Sequence, residues 1–208
     1  MIGGVFVYNP KSEFQLKEEG LMKVTFVRFS INDRQQTAQL VECYRDIFAD
    51  EPWNEWLQCP ECGFYWGKSE SDDLVARKFY HFGKPLVDFW PRDQVIVDLE
   101  HEIRAQAACW LALDQSKVVG FCWGYPINFG QLAVKLEIAL EGDSDNVVAY
   151  QDELGVLSAY RGWGIAKTML VHRLDDFLTQ GLEFRRGKNP ETPDTFSDIY
   201  LVYSKIRI

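Results

Sequence analysis

The run Arg161-Gly162-Trp163-Gly164-Ile165-Ala166-Lys167 carries the clearest chemistry in this chain. A strand-like run, Val147–Leu157, precedes it, and a helix-like run, Ile165–Leu174, follows. A glycine turn between strand and helix leaves several backbone N–H groups without a partner. With the positive end of the helix dipole they make an anion site. Gly162 and Gly164 have no Cβ to hold a phosphate away, and the anion expected is a pyrophosphate. A P-loop needs Gly-x-x-x-x-Gly-Lys-Ser/Thr, which is not present. A dinucleotide fingerprint needs Gly-x-Gly-x-x-Gly, and position 167 is lysine.

A second motif is Cys59-Pro60-Glu61-Cys62-Gly63. Cys-Pro-x-Cys-Gly is the turn of a zinc or rubredoxin-like knuckle, in which backbone N–H groups point at thiolates. One knuckle supplies two ligands, and a structural zinc takes about four. No second Cys-x-x-Cys follows, and His81, His101 and Cys43 have no helpful spacing. The expectation from spacing is therefore no metal. The neighbouring Glu51-Pro-Trp-Asn-Glu-Trp56 run suits an aromatic wall. Trp53 and Trp56 either face a cation or cap the core. His172 is expected on a helix surface, and no histidine has a Ser or Cys partner at a recognisable spacing.

Arg161, Gly164 and Ala166 form Arg-x-x-Gly-x-Ala within the longer run Asp152-Glu-Leu-Gly-Val-Leu-Ser-Ala-Tyr-Arg-Gly-Trp-Gly-Ile-Ala-Lys167. This resembles the acyl-CoA signature of the GNAT N-acetyltransferase superfamily. The resemblance spans about residues 24–180. It implies an α/β (α+β) fold: a central mixed, mostly antiparallel sheet flanked by helices and splayed between its fourth and fifth strands. It implies acetyl-CoA as co-substrate, and transfer of acetyl to a primary amine by direct attack on the thioester. The cofactor-binding residues carried over are Leu154, Val156, Leu157, Arg161, Gly162, Trp163, Gly164, Ile165, Ala166 and Lys167. Gly155 would ease a bulge in the strand.

Glu153 is the candidate general base on that strand, with Asp152 the alternative if the register shifts. Alternation groups Gln151, Glu153, Gly155 and Leu157 on one face, and Asp152, Leu154 and Val156 on the other. The competing reading of Glu153 is a solvent-facing acid at a strand end. Tyr203 matches the tyrosine of the family's Tyr-x-Lys-x-Gly-Phe element, and a phenol can protonate a leaving thiolate. Arg207 and Ile208 stand where that element has Gly and Phe. One or two terminal strands are thus expected to be absent. A non-catalytic acyl-CoA-binding or metal-binding interaction protein on the same fold is the rival reading.

The elements that must hold these residues can be read along the chain. Val24–Ser30 is an expected strand. Asn32 is an expected helix cap with Gln35 three residues on. Leu40, Val41, Tyr44, Ile47 and Phe48 then recur at helical spacing. Residues 51–90 form an irregular, aromatic-rich insertion. Pro91–Gln106 reads as a helix with Ile96, Leu99 and Ile103 on one face. Ala107–Leu113 and Val118–Tyr125 read as a hairpin turned by Asp114–Lys117. Residues 127–146 read as a loop or short helix. The division expected is an extension at 1–22 and one domain at 23–208.

The 208 residues suit one domain, and 47% hydrophobic with 14% aromatic residues suffice for a core. A formal net charge of −9 argues against a nucleic-acid partner. It fits a cationic amine drawn to an acidic cleft, and equally fits simple solubility. No stretch approaches the ~20 apolar residues of a membrane span, and no signal peptide is visible. Five scattered cysteines point to reduced thiols in the cytoplasm. The partners implied are a small-molecule or peptide amine and, optionally, a second copy of the chain.

Overall fold

Phe121 and Trp123 point to one face of their strand and Cys122 between them to the other, so the sheet is buried on both sides. The computed structural model describes residues 23–76, 79–104, 106–137 and 144–182. Of Arg186–Gly187, Asp198–Ile199 and Tyr203–Ile206 it describes the backbone only. The expected extension at 1–22 lies outside the described residues.

In chain order the elements are β1 (Val24–Arg28), α1 (Arg34–Ala49), β2 (Leu57–Gln58), β3 (Tyr65–Trp66), α2 (Ser71–Ala76), β4 (Tyr80–His81), β5 (Lys84–Pro85), β6 (Val87–Asp88) and α3 (Arg92–Glu102). There follow β7 (Ala108–Asp114), β8 (Lys117–Asn128), α4 (Phe129–Leu136), β9 (Val147–Val156), α5 (Ile165–Thr179), β10 (Arg186–Gly187), β11 (Asp198–Ile199) and β12 (Tyr203–Ile206). The main sheet runs β1-β7-β8-β9-β12. It is antiparallel except for the parallel pair β9–β12. The mixed, mostly antiparallel sheet with flanking helices is as the sequence implies.

Helices α1 and α3 cover one face, packing Leu40, Ile47, Phe48, Val95 and Leu99 on Leu111, Phe121 and Trp123. Helix α5 covers the other, packing Ile165 and Met169 on Val119, Cys122, Leu154 and Val156. Each fully buried aliphatic or aromatic side chain here stabilises by about 1.5–3 kcal/mol. Asp33, not Asn32, caps α1, because its Oδ1 accepts the Gln36 N–H at 3.0 Å. The buried face of α3 is Val95, Leu99 and Ile103, a strict i, i+4 row, with Ile96 only partly buried. Helix α3 also ends at Glu102, short of the expected Gln106.

Segment 51–90 is folded in miniature, with a three-stranded sheet in the order β3-β2-β6 and a hairpin of β4 and β5. It is tied to α1 by Arg45, which donates to Trp90 O at 2.8 Å and to Asp88 Oδ2 at 2.6 Å. Trp53 lies against Phe48, ring centroids 6.2 Å apart, and so caps the core. Trp56 meets Phe79 edge-on at 6.3 Å.

Candidate active site

The end of β9 leads through one 3₁₀ turn, Ser158–Tyr160, into the glycine turn and α5. Tyr160 fixes that connection by donating to Asp114 Oδ2 at 2.8 Å. Gly162 and Gly164 have φ of +83° and +78°. This is the left-handed region, which costs an L-residue roughly 1–2 kcal/mol. No atom lies within 4 Å of a Cβ built at either position, so the space over the turn is open. The Thr168 N–H donates to Gly164 O at 3.0 Å as the first bond of α5. The N–H groups of Ile165, Ala166 and Lys167 precede it and have no intrahelical acceptor. Arg161 Nε folds back to donate to Val156 O at 3.1 Å, which locks the turn to the strand.

Bond direction along β9 separates the expected acyl-binding residues. Leu157 N–H donates to Val119 O at 3.0 Å, so its amide is spent on β8. Antiparallel pairing alternates. The backbone groups of Leu154 and Val156 therefore point to the opposite edge, toward β12. The last described pair on that edge is Ile206 with Leu154, leaving Val156 beyond it. Leu154 is paired with Ile206 of β12, and the Val156 carbonyl already accepts from Arg161.

The bulge falls at Asp152, not at Gly155. Glu153 pairs with Trp123 and Gln151 with Gly124, so Asp152 is the extra residue. Gly155 is needed for another reason: a Cβ there would lie 2.7 Å from the Phe121 ring. The bulge also changes the facing of side chains before it. Asp152 joins the α3 side of the sheet instead of the Leu154 side. Two carbonyls at the bulge, Trp123 O and Glu153 O, accept from Arg173 Nη1 at 2.7 and 2.8 Å. Arg173 is buried on α5, one turn past Met169.

On the α3 side an ammonium group sits inside an acidic and aromatic cage. Lys135 Nζ is 3.7 Å from Asp152 Oδ2 and 3.9 Å from Glu102 Oε1. It lies 5.4 Å from the centroid of the Tyr150 ring and 5.7 Å from that of Tyr125. Glu102 Oε2 accepts the Trp123 indole N–H at 3.0 Å. Burial raises the Glu102 carboxyl and the Asp152 charge raises it further. Lys135 and the indole oppose them, and the group is left at about 7. Burial, then the charges of Asp152 and Glu102, hold the Tyr125 phenol well above its ordinary range. Such a cage can bind an ammonium ion, and a carboxylate near pH 7 can take its proton.

Of the sequence candidates, Glu153 is buried beside the bulge, and Asp152 is the residue joined to Glu102 through Lys135. Tyr203 opens β12, paired with Gln151 in the sheet, whereas the Tyr-x-Lys resemblance placed it with a helical element. Its side chain lies outside the described residues. Glu102, Tyr125, Lys135, Tyr150 and Arg173 were not singled out by sequence. Only Arg173 left a signal, as a charge in the apolar Ile165–Met169–Phe177 row. His172 stacks on Trp110 at 4.4 Å, a partly buried place and not a free surface.

The acetyltransferase (GNAT) family profile matches residues 77–186, just over half of the chain. The chain belongs to the GNAT acetyltransferase family. The chemistry of that family is acetyl transfer. Among solved structures, the GNAT chain is similar to PaiA N-acetyltransferase from Thermoplasma acidophilum in complex with coenzyme A. Identity is 16%, with 77% of this chain and 76% of that one covered, at a TM-score of 0.40. It is also similar to an aminoglycoside acetyltransferase from an uncultured soil metagenomic sample in complex with sisomicin (15%, 77% and 73%, 0.40). A third is ribosomal-protein-alanine N-acetyltransferase from Brucella melitensis biovar Abortus 2308 (14%, 77% and 76%, 0.39). No curated protein matches this GNAT chain. Among the described residues no helix is long and apolar enough to cross a membrane.

Proposed function

We propose that the protein is an acetyl-CoA-dependent N-acetyltransferase acting on a primary amine of a small molecule or peptide. The observation that carries this reading is the open turn at Gly162 and Gly164 at the N-terminus of α5, directly after β9. The pyrophosphate of acetyl-CoA binds the N–H groups from Gly162 to Lys167. Its pantetheine runs past the end of β9, beside Val156 and Leu157.

The acceptor ammonium takes the place of the Lys135 amine between Glu102, Asp152, Tyr125 and Tyr150. Glu102 removes its proton, a role for which Glu153 is the candidate by sequence. The neutral amine attacks the thioester carbonyl, the N–C bond forms, the C–S bond breaks and the CoA thiolate leaves, while the second proton lost by the nitrogen replaces the one that the thiolate takes from its acid. The proton for the thiolate is assigned to Tyr203, whose strand runs beside the bulge.

Release of free CoA thiol from acetyl-CoA with a panel of primary amines tests the proposal. Amine-dependent release supports it. Binding of acetyl-CoA without release from any amine would favour a non-catalytic acyl-CoA-binding protein.

A further inference from the structure

Segment 51–90 is tied to α1 through Arg45 and Phe48 and takes no part in the reaction proposed above. Its own core is small: among the described residues only Cys59, Trp66 and Leu74 are fully enclosed in it. Its strands are two residues long. A unit of this size needs a staple beyond its apolar contacts.

The turn after β2 has knuckle geometry. The Gly63 N–H donates to Cys59 O at 2.9 Å, and the Cys59 N–H donates to Phe64 O at 2.8 Å. Gly63 takes a φ of +72° to allow it. This turns both cysteine side chains the same way. The β4–β5 hairpin then brings in His81, nineteen residues after Cys62. The sulfurs of Cys59 and Cys62 and a ring nitrogen of His81 all lie within 4.8 Å of one another. Cys62 Sγ and His81 Nδ1 are 3.6 Å apart. In a tetrahedron with Zn–S near ~2.3 Å and Zn–N near ~2.1 Å, such an edge is about 3.6 Å. The His81 ring is held in place edge-on to Trp66 at 5.1 Å and against Phe82 at 4.3 Å. All five cysteines are free thiols.

We propose that Cys59, Cys62 and His81 bind one zinc ion that joins the knuckle to the β4–β5 hairpin. Two thiolates and an imidazole are the donor set that selects zinc among common divalent ions. The thiols lose their protons as the ion binds. Water takes the fourth position. The spacing argument against a metal fails because β4 and β5 fold His81 back onto the knuckle. The site is independent of the acetyl-transfer reading.

The full chain, purified reduced with zinc present, is expected to hold one zinc per chain by elemental analysis. Cobalt in its place should give thiolate charge-transfer bands and strong tetrahedral d–d bands. Cys62 is exposed and His81 only half-buried, so Cys62→Ser and His81→Gln spare the enclosed residues Cys59, Trp66 and Leu74. Each should weaken zinc, in competition with a chromophoric chelator, by more than the ~10-fold lost with an outer-shell partner. His101→Gln, outside the cluster, should leave it unchanged. Chelation should raise amide exchange in 57–88 while the α1–β8 core stays protected. The proposal is overturned by sub-stoichiometric zinc, by cobalt spectra without thiolate bands, or by unchanged affinity in both variants. A Cys59–Cys62 disulfide in the reduced, zinc-supplied protein would overturn it equally.

Discussion

The guanidinium of Arg173 donates to the carbonyl of Glu153 at 2.8 Å, inside the core and at the point where the β8–β9 ladder breaks. The same nitrogen reaches Trp123 O at 2.7 Å. Leaving a buried carbonyl short of a donor costs about 1–3 kcal/mol. Arg173 thus supports the strand geometry that turns Asp152 toward Glu102. Arg173→Leu should lower unfolding stability by roughly 2–4 kcal/mol, since two carbonyls lose their donor. An unchanged urea midpoint would show that the bulge holds without it.

Glu102 links activity and stability with opposite signs. Its carboxyl is raised from 4.5 to about 7 by burial and by Asp152. Between those two values the folded protein binds more protons than the unfolded chain. Stability therefore falls as pH rises from about 4.5 to about 7, and stays lower above it. Ionisation is what a base requires, so kcat/KM should rise over the same limb and level off above about pH 7. Glu102→Gln should lose turnover on the order of 10²-fold or more. At pH 8 it should be more stable than the parent by roughly 1–3 kcal/mol. A variant that is slower and also less stable at pH 8 would contradict this account.

The proton path is tested by two further substitutions. Glu153→Gln should leave acetyl-CoA affinity intact, and it should slow turnover far less than Glu102→Gln if Glu102 is the base. Equal losses would return the role to Glu153. Tyr203→Phe should lower kcat with little change in KM, since the phenol is assigned to the leaving thiolate. An unchanged kcat would remove it from the mechanism.

The glycine turn was legible because local sequence dictates it. Two glycines at positive φ, a preceding apolar strand and a following helix all fall within twenty-odd residues. The order of the main elements was legible for the same reason, from periodicity along each segment. The cage was not. Glu102, Tyr125, Lys135, Asp152 and Tyr150 come from α3, β8, α4 and β9, and only the fold brings them together. The bulge was misplaced at Gly155 because a glycine in a strand suggests one, whereas this glycine makes room for Phe121. Spacing alone sets His81 aside as a ligand, whereas the β4–β5 hairpin brings its ring to the knuckle.

Acetyl-CoA or CoA should raise the thermal midpoint of the parent protein. A ligand at 100 times its Kd adds about 2.7 kcal/mol. Gly164→Val should abolish the shift. The new side chain meets no protein atom at its Cβ, so the fold loses only the roughly 1–2 kcal/mol of left-handed strain. What it occupies is the open space over the α5 N-terminus. A folded Gly164→Val protein with the full ligand shift would move the pyrophosphate elsewhere.

Lys135 gives the most specific test of the cage. Its ammonium lies over both tyrosine rings and near both carboxylates, where the acceptor amine is proposed to bind. Lys135→Met removes the internal cation and keeps the apolar stem. Acceptor amines should then bind more tightly, and KM for the amine should fall several-fold with acetyl-CoA binding unchanged. Lys135 is also a group that lowers the Glu102 carboxyl. Without it the acid limb of the pH–rate profile should move above about 7, because more base is needed to ionise Glu102. A lower amine KM together with an upward-shifted limb is the signature of an ammonium cage. A raised KM with the limb unmoved would mean that Lys135 contacts the acceptor in some other way, and that the amine enters from another side of β9.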